Sequence, residues 1–124
     1  MKKILCVDDD LSILLLYKEE FSEGGYEVIL AGNGREAVMK YQTVHPQLVI
    51  MDMRMPGMDG IEALSAILGM DRQASILINS AFPQYRENFM TWGAEAYLLK
   101  SSDLGELKQK VREILDRRQV VRAA

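Results

Sequence analysis

The 124-residue sequence predicts one α/β domain, doubly wound around a five-stranded parallel sheet of order 2-1-3-4-5 with five helices. Short, mostly aliphatic runs alternate strictly with longer stretches of helical period, which is the pattern of βα units. The runs lack polar–apolar alternation, as strands covered on both faces do. Right-handed crossovers and the chain's size favour the stated order.

The expected strands are residues 4–7, 28–31, 48–51, 76–78 and 97–99. Ile13, Leu16, Tyr17, Glu20 and Phe21 follow an i, i+3, i+4 spacing, and Gly24-Gly25 ends that first helix. Asn33 with Glu36 resembles a capping box for the second helix, which stops before His45-Pro46. Asp59 with Glu62 opens the third, turning Ile61, Leu64 and Leu68 inward, with Gly69 beyond its end. Pro83 suits the first turn of a fourth, closed by Gly93. Asp103 with Glu106 starts the fifth, whose Leu104, Leu107, Val111, Ile114 and Leu115 form one apolar stripe. Residues 1–119 read as the domain and 120–124 as a tail where a linker could begin.

Composition narrows the function. At 48% hydrophobic and 27% charged, the chain is an ordinary globular domain. A net charge of −3 argues against nucleic acid as a direct partner. The single cysteine, Cys6, permits no internal disulfide and suits a reducing compartment. The opening MKKILCVDDD is no signal peptide, and no run approaches the roughly 18 apolar residues of a membrane span. A cytoplasmic protein away from membranes is expected.

In an open α/β sheet, ligands bind beyond the carboxyl ends of the strands where the order reverses, here between strands 1 and 3. Strand 1 ends in Asp8, Asp9 and Asp10; strand 3 ends in Asp52, from which VIMDMRMPGMDG breaks into a loop. Carboxylates aimed at one crevice repel, and a hard cation such as Mg²⁺ resolves the conflict through oxygen ligands. Strand 4 delivers Ser80 and strand 5 delivers Lys100 to the same edge. A carboxylate nucleophile, a metal site, a hydroxyl and an ammonium are what an aspartyl-phosphate reaction requires. Asp52 is the expected nucleophile, with Mg²⁺, Ser80 and Lys100 holding the phosphoryl oxygens.

These residues resemble the receiver domain of bacterial two-component response regulators, a flavodoxin-like fold, over residues 2–118. The resemblance is carried by Asp8-Asp9 in ILCVDDD, Asp52 in MDMRMPGMDG, Ser80-Ala81 in INSAF and Lys100 in GAEAYLLK. It implies a signalling phosphoacceptor rather than an enzyme, catalysing only its own Mg²⁺-dependent phosphorylation and dephosphorylation. Asp52 takes phosphate from a histidine kinase or, in a phosphorelay, a histidine phosphotransfer protein. By the same resemblance Asp9, Asp52 and the backbone carbonyl of Arg54 bind Mg²⁺ directly, and Asp8 acts through water. Ser80 and Tyr97 occupy switch positions that repack the face of helix 4, strand 5 and helix 5. That face would meet a downstream target, an effector domain or a second copy of the chain.

The family usually has proline after the lysine, often joined by a cis peptide; Ser101 follows Lys100 here, so a trans bond is expected. Arg54 and Phe82 stand where family members tune water access and are expected to slow hydrolysis of the acyl phosphate, Phe82 by shielding it.

Simpler readings stand beside these. Asp8 and Asp9 could cap the first helix, and Asp59-Gly60 reads as a cap and tight turn. Met51, Met53, Met55 and Met58 are core and loop residues, since soft-metal chemistry does not suit adjacent carboxylates. His45, the only histidine, carries no mark of a phosphohistidine. Basic residues of the last helix interleave with Glu106, Glu113 and Asp116 as on a solvated face. Two rival functions remain: an interaction module that is never phosphorylated, and an aspartate-nucleophile phosphatase. The latter usually carries an acid/base aspartate where Arg54 stands.

Overall fold

The computed structural model describes residues 1–88 and 92–123, the side chains of Glu87 and residues 118–123 excepted. Five parallel strands lie in the order β2-β1-β3-β4-β5: β1 Lys3–Val7, β2 Glu27–Ala31, β3 Leu48–Met51, β4 Ile76–Ser80 and β5 Ala96–Leu99. Among the described residues they alternate with α1 Leu11–Glu23, α2 Gly34–Val44, α3 Gly60–Met70, a 3-10 helix Pro83–Asn88, and α4 Gly105–Ala123.

Alternate side chains of each strand feed two cores. Leu5, Val7, Val49, Met51, Ile76 and Ile78 pack with α2 and α3. Ile4, Cys6, Leu48, Ile50, Leu77 and Leu98 pack with α1 and α4. Both faces of the sheet are therefore dry, which is why its strands show no polar alternation. Burial pushes the Cys6 thiol far above its usual range, as befits an inert core residue.

Several boundaries move for local reasons. Asp10, rather than Asp8 or Asp9, caps α1, its carboxylate accepting the Ser12 N–H at 2.9 Å. The buried face of α1 is Leu14, Tyr17 and Phe21, while Leu16 is exposed. Its first two turns are apolar nearly all round, so only the aromatic residues fix the phase of the stripe. Asn33 accepts the Glu36 N–H at the start of α2, and His45 ends that helix in the left-handed region at φ 52°.

Helix α3 runs past Gly69, which keeps a right-handed backbone, to Met70, with extended Asp71 at its end. Helix α4 begins at Gly105, not Asp103. Asp103 instead accepts the Gly105 N–H at 2.9 Å and shapes the turn before the helix. Its backbone continues to Ala123, through most of the stretch expected as a tail, with no Gly or Pro to stop it. The expected fourth helix starts at Pro83 as a 3-10 segment; residues 89–91 lie outside the described residues.

The loop leaving β3 is packed by close backbone approach. Asp59 and Glu62 form a reciprocal capping box at the start of α3. Gly57, at φ +77°, provides the turn assigned from the sequence to Gly60. Gly60 is needed for another reason: a Cβ there would lie 2.1 Å from the Asp52 backbone oxygen and 2.8 Å from Met53 Cα. Gly60→Ala is therefore expected to cost about 2 kcal/mol in urea unfolding by prying α3 from the end of β3. An unchanged midpoint would show that this junction yields freely.

Candidate functional site

Strand register brings the acidic residues together. β1 and β3 pair in parallel with Val7 opposite Met51, so the next residues, Asp8 and Asp52, emerge side by side. The Asp52 N–H bonds the Val7 carbonyl at 3.0 Å. One carboxylate oxygen from each of Asp8, Asp9 and Asp52 lies within 4.8 Å of the others. Asp8 and Asp52 are buried, whereas Asp9 faces solvent. At the far side of the sheet, β4 and β5 pair Ser80 with Leu99, and the Lys100 N–H bonds the Ser80 carbonyl at 2.8 Å. The peptide after Lys100 is trans, as are all those described.

From that anchor the Lys100 ammonium reaches back to the acids. Its Nζ lies 2.7 Å from Asp8 Oδ2 and 3.3 Å from Asp52 Oδ2. The opposing charges have visible consequences. Burial, and then the neighbouring Asp8 charge, hold the Asp52 carboxyl above its ordinary pKa, against the pull of Lys100 and the Met53 N–H. Burial alone would depress the Lys100 pKa, but the Asp8 bond and the charges of Asp52 and Asp8 outweigh it and raise it. Three carboxylates against one ammonium leave the pocket with surplus negative charge. An oxygen-only, anionic donor set of this kind suits a hard divalent cation.

Asp8 has a second task, accepting the Asp10 N–H at 2.9 Å and so tying the pocket to the start of α1. Asp10 lies outside the acidic cluster; its bonds from the Ser12 hydroxyl and N–H keep its carboxyl below the ordinary range.

Ser80 is fully buried, and its Oγ accepts the Phe82 N–H at 3.0 Å, a bond that does not use its own proton. Tyr97 is buried in the core on the α2–α3 side of the sheet, its hydroxyl donating to the Phe82 carbonyl. The Arg54 guanidinium stacks on the Phe82 ring, 4.9 Å from its centroid.

One polar pair was not foreseen. Asn79, buried in an otherwise aliphatic strand, donates from Nδ2 to the Tyr17 hydroxyl at 2.5 Å. Burial, then the Asp8 charge, pushes Tyr17 up to about 12. The signal in the sequence was the asparagine itself, a costly residue in a run such as ILINS unless a partner waits.

The response regulator receiver domain model matches residues 4–112. Sporulation initiation phosphotransferase F of Bacillus subtilis is 34% identical over 116 residues, which cover 92% of this chain and 94% of that protein. Regulatory protein AtoC of Escherichia coli is 32% identical over 117 residues, only 25% of its own length. Among solved structures, the response regulator TrrA of Thermotoga maritima, in complex with Mg²⁺ and BeF, is 41% identical with a TM-score of 0.87. The match covers 92% of this chain and 99% of TrrA. A second structure holds TrrA with the histidine kinase ThkA, with 42% identity, a TM-score of 0.85 and coverage of 93% and 99%. This chain belongs to the response regulator receiver domains, the phosphorylation-dependent switches of two-component signalling.

Proposed function

We propose that Asp52 is the phosphoacceptor, taking a phosphoryl group from the phosphohistidine of a histidine kinase or histidine phosphotransfer protein. An Asp52 carboxylate oxygen forms the new P–O bond, the P–N bond to the donor breaks, and the departing imidazole regains a proton. One observation carries this reading: Asp8, Asp9, Asp52 and the Lys100 ammonium meet in one pocket although they come from three separate strand ends.

Asp8, Asp9, Asp52 and the backbone carbonyl of Arg54 are the residues to hold Mg²⁺, Asp8 through water. Bound there, Mg²⁺ neutralises charge on the phosphoryl oxygens. Lys100 supplies a second positive charge and Ser80 a hydroxyl donor.

A phosphoryl group that draws in the Ser80 hydroxyl pulls on the Phe82 N–H bonded to it, and Tyr97 holds the carbonyl of the same residue. Ser80 and Tyr97 are thus the switch pair, transmitting the new charge to the face formed by the segment after β4, β5 and α4. A target protein, an effector domain or a second copy of the chain reads that face.

The donor protein must cover the pocket mouth. Beside it, Leu16 and Tyr17 of α1 line a cavity of about 340 Å³ with Lys100 and Leu104, and Leu11 and Leu15 are exposed on the same helix. Among the described residues no helix is long and apolar enough to cross a membrane.

Mg²⁺ with beryllofluoride and with acetyl phosphate, followed by intact mass and Trp92 fluorescence, tests the reading. A covalent phosphoryl adduct on Asp52 and saturable beryllofluoride binding are expected. No response to either reagent indicates the unphosphorylated interaction module, and sustained turnover of small phosphate esters indicates the phosphatase.

A further inference from the structure

We propose that Asn79 and Tyr17 are a positioning pair for Lys100: they form the buried shelf over which the lysine crosses β4 to reach Asp52 and Asp8. This rests on the reading of Asp52 as the phosphoacceptor.

Side chains alternate between the two faces of a strand. Cys6, Ile50, Leu77 and Leu98 all pack on the α1–α4 side of the sheet. Two residues further on, Asp8, Asp52, Asn79 and Lys100 therefore share that side at its carboxyl edge. Register pairs Met51 with Ile78, so Asn79 stands level with Asp52. Neighbouring strands are about 4.8 Å apart, so a lysine following β5 reaches Asp52 at the end of β3 only by laying its stem over β4. On that face and at that level, β4 offers Asn79.

Tyr17 closes the shelf from α1. It lines the same cavity as Lys100, and its hydroxyl accepts from Asn79 Nδ2. Asn79 lines a second cavity, of about 90 Å³, and both cavities are walled by Ser101, the residue after Lys100. Burial, and after it the charges of Asp8 and Asp52, raise the Tyr17 pKa, so the phenol lies in the field of the carboxylates that Lys100 bonds. With Nδ2 turned to Tyr17, Asn79 keeps Oδ1 as a buried acceptor, bonded to no donor among the described residues. A passing ammonium offsets the cost of such a group.

The reaction needs the ammonium in place before the phosphoryl group arrives, and a long lysine stem is flexible unless walled in. The shelf supplies that wall.

The test is the rate of Asp52 phosphorylation by acetyl phosphate with saturating Mg²⁺, read by intact mass beside urea unfolding. Tyr17→Phe and Asn79→Leu are each expected to slow uptake about 3–10-fold, as a small misplacement of a reacting group does. The double variant removes both members of the buried pair and leaves neither unpaired, so it should regain the urea midpoint lost by the single variants. Its uptake should stay slow. In a Lys100→Met background neither substitution should change the remaining rate by more than about 2-fold. Wild-type uptake in the double variant, or effects that multiply with that of Lys100→Met, would overturn the positioning role alone. Failure of the wild-type protein to take up a phosphoryl group at Asp52 overturns both this role and the reading beneath it.

Discussion

Lys100→Met is expected to slow phosphoryl uptake from acetyl phosphate by about 10²–10³-fold, the loss seen when one preorganised donor is taken from a developing oxyanion. The ammonium is 2.7 Å from Asp8 and 3.3 Å from Asp52, so it needs no rearrangement to reach oxygens carried on Asp52. Its removal acts twice. The phosphoryl charge loses a partner, and the Asp52 carboxyl loses the neighbour that restrains its raised pKa, so less of it is ionised and nucleophilic. Two buried carboxylates then face each other unneutralised.

Breaking a fully buried ion pair by deleting one member costs about 3–5 kcal/mol. Lys100 keeps a fifth of its side chain in solvent, and the expected loss of metal-free stability is accordingly about 2 kcal/mol in urea unfolding. Added Mg²⁺ should recover part of it by restoring positive charge. Lys100→Arg is expected to rescue only partly, because a planar fork does not replace a compact ammonium between two carboxylates. A methionine variant phosphorylated at near wild-type rate would remove Lys100 from the reaction.

Much of this pocket was legible because it stands at strand ends. A charge that interrupts an aliphatic run, as Asp52 and Lys100 do, marks both the end of a strand and an exposed sheet edge, and the doubly wound order then sets those edges side by side. Hidden from the sequence was whatever depends on register and packing between elements. The pattern DDD does not say which aspartate caps the helix; that followed from where α1 begins, which assigned Asp10 to the cap and Asp8 to the lysine. Gly60 read as a turn because glycine most often marks one, whereas it is the approach of α3 to the Asp52 backbone that excludes a side chain. Arg54 and Phe82 were each placed near the site, 28 positions apart in the sequence, but nothing in the chain announces that they stack. The Asn79–Tyr17 bond likewise joins two elements whose facing residues only the tertiary packing determines.

Asp52→Asn is expected to abolish phosphoryl uptake completely while making the metal-free protein more stable at neutral pH, by on the order of 1 kcal/mol. The loss is chemical, since an amide is not a nucleophile able to form the acyl phosphate. The gain is electrostatic. Asp52 Oδ1 accepts the Met53 N–H at 2.8 Å, a bond that the asparagine carbonyl can reproduce, and Lys100 keeps Asp8 as its nearer partner. The substitution removes the burial of a charge and the repulsion from Asp8, which together raise the Asp52 pKa, along with the weaker opposing pull of Lys100 at 3.3 Å. In differential scanning calorimetry the change should appear as roughly 3–5 °C in Tm.

The pH dependence distinguishes this cause from a packing effect. A carboxyl whose folded pKa lies above its unfolded value holds its proton in the native state after the unfolded chain has released it. The wild type should therefore lose stability as pH rises from the ordinary carboxylate range through the raised Asp52 value. Asp52→Asn should lack that decline, so the two curves converge in acid, where position 52 is neutral in both, and separate towards pH 7. Saturating Mg²⁺ is expected to narrow the gap from the other direction, by stabilising the wild-type pocket more than the amide's. Parallel curves across the whole range, or a variant less stable than wild type at neutral pH without metal, would mean that Asp52 is not held in the strained ionised state the pocket geometry describes.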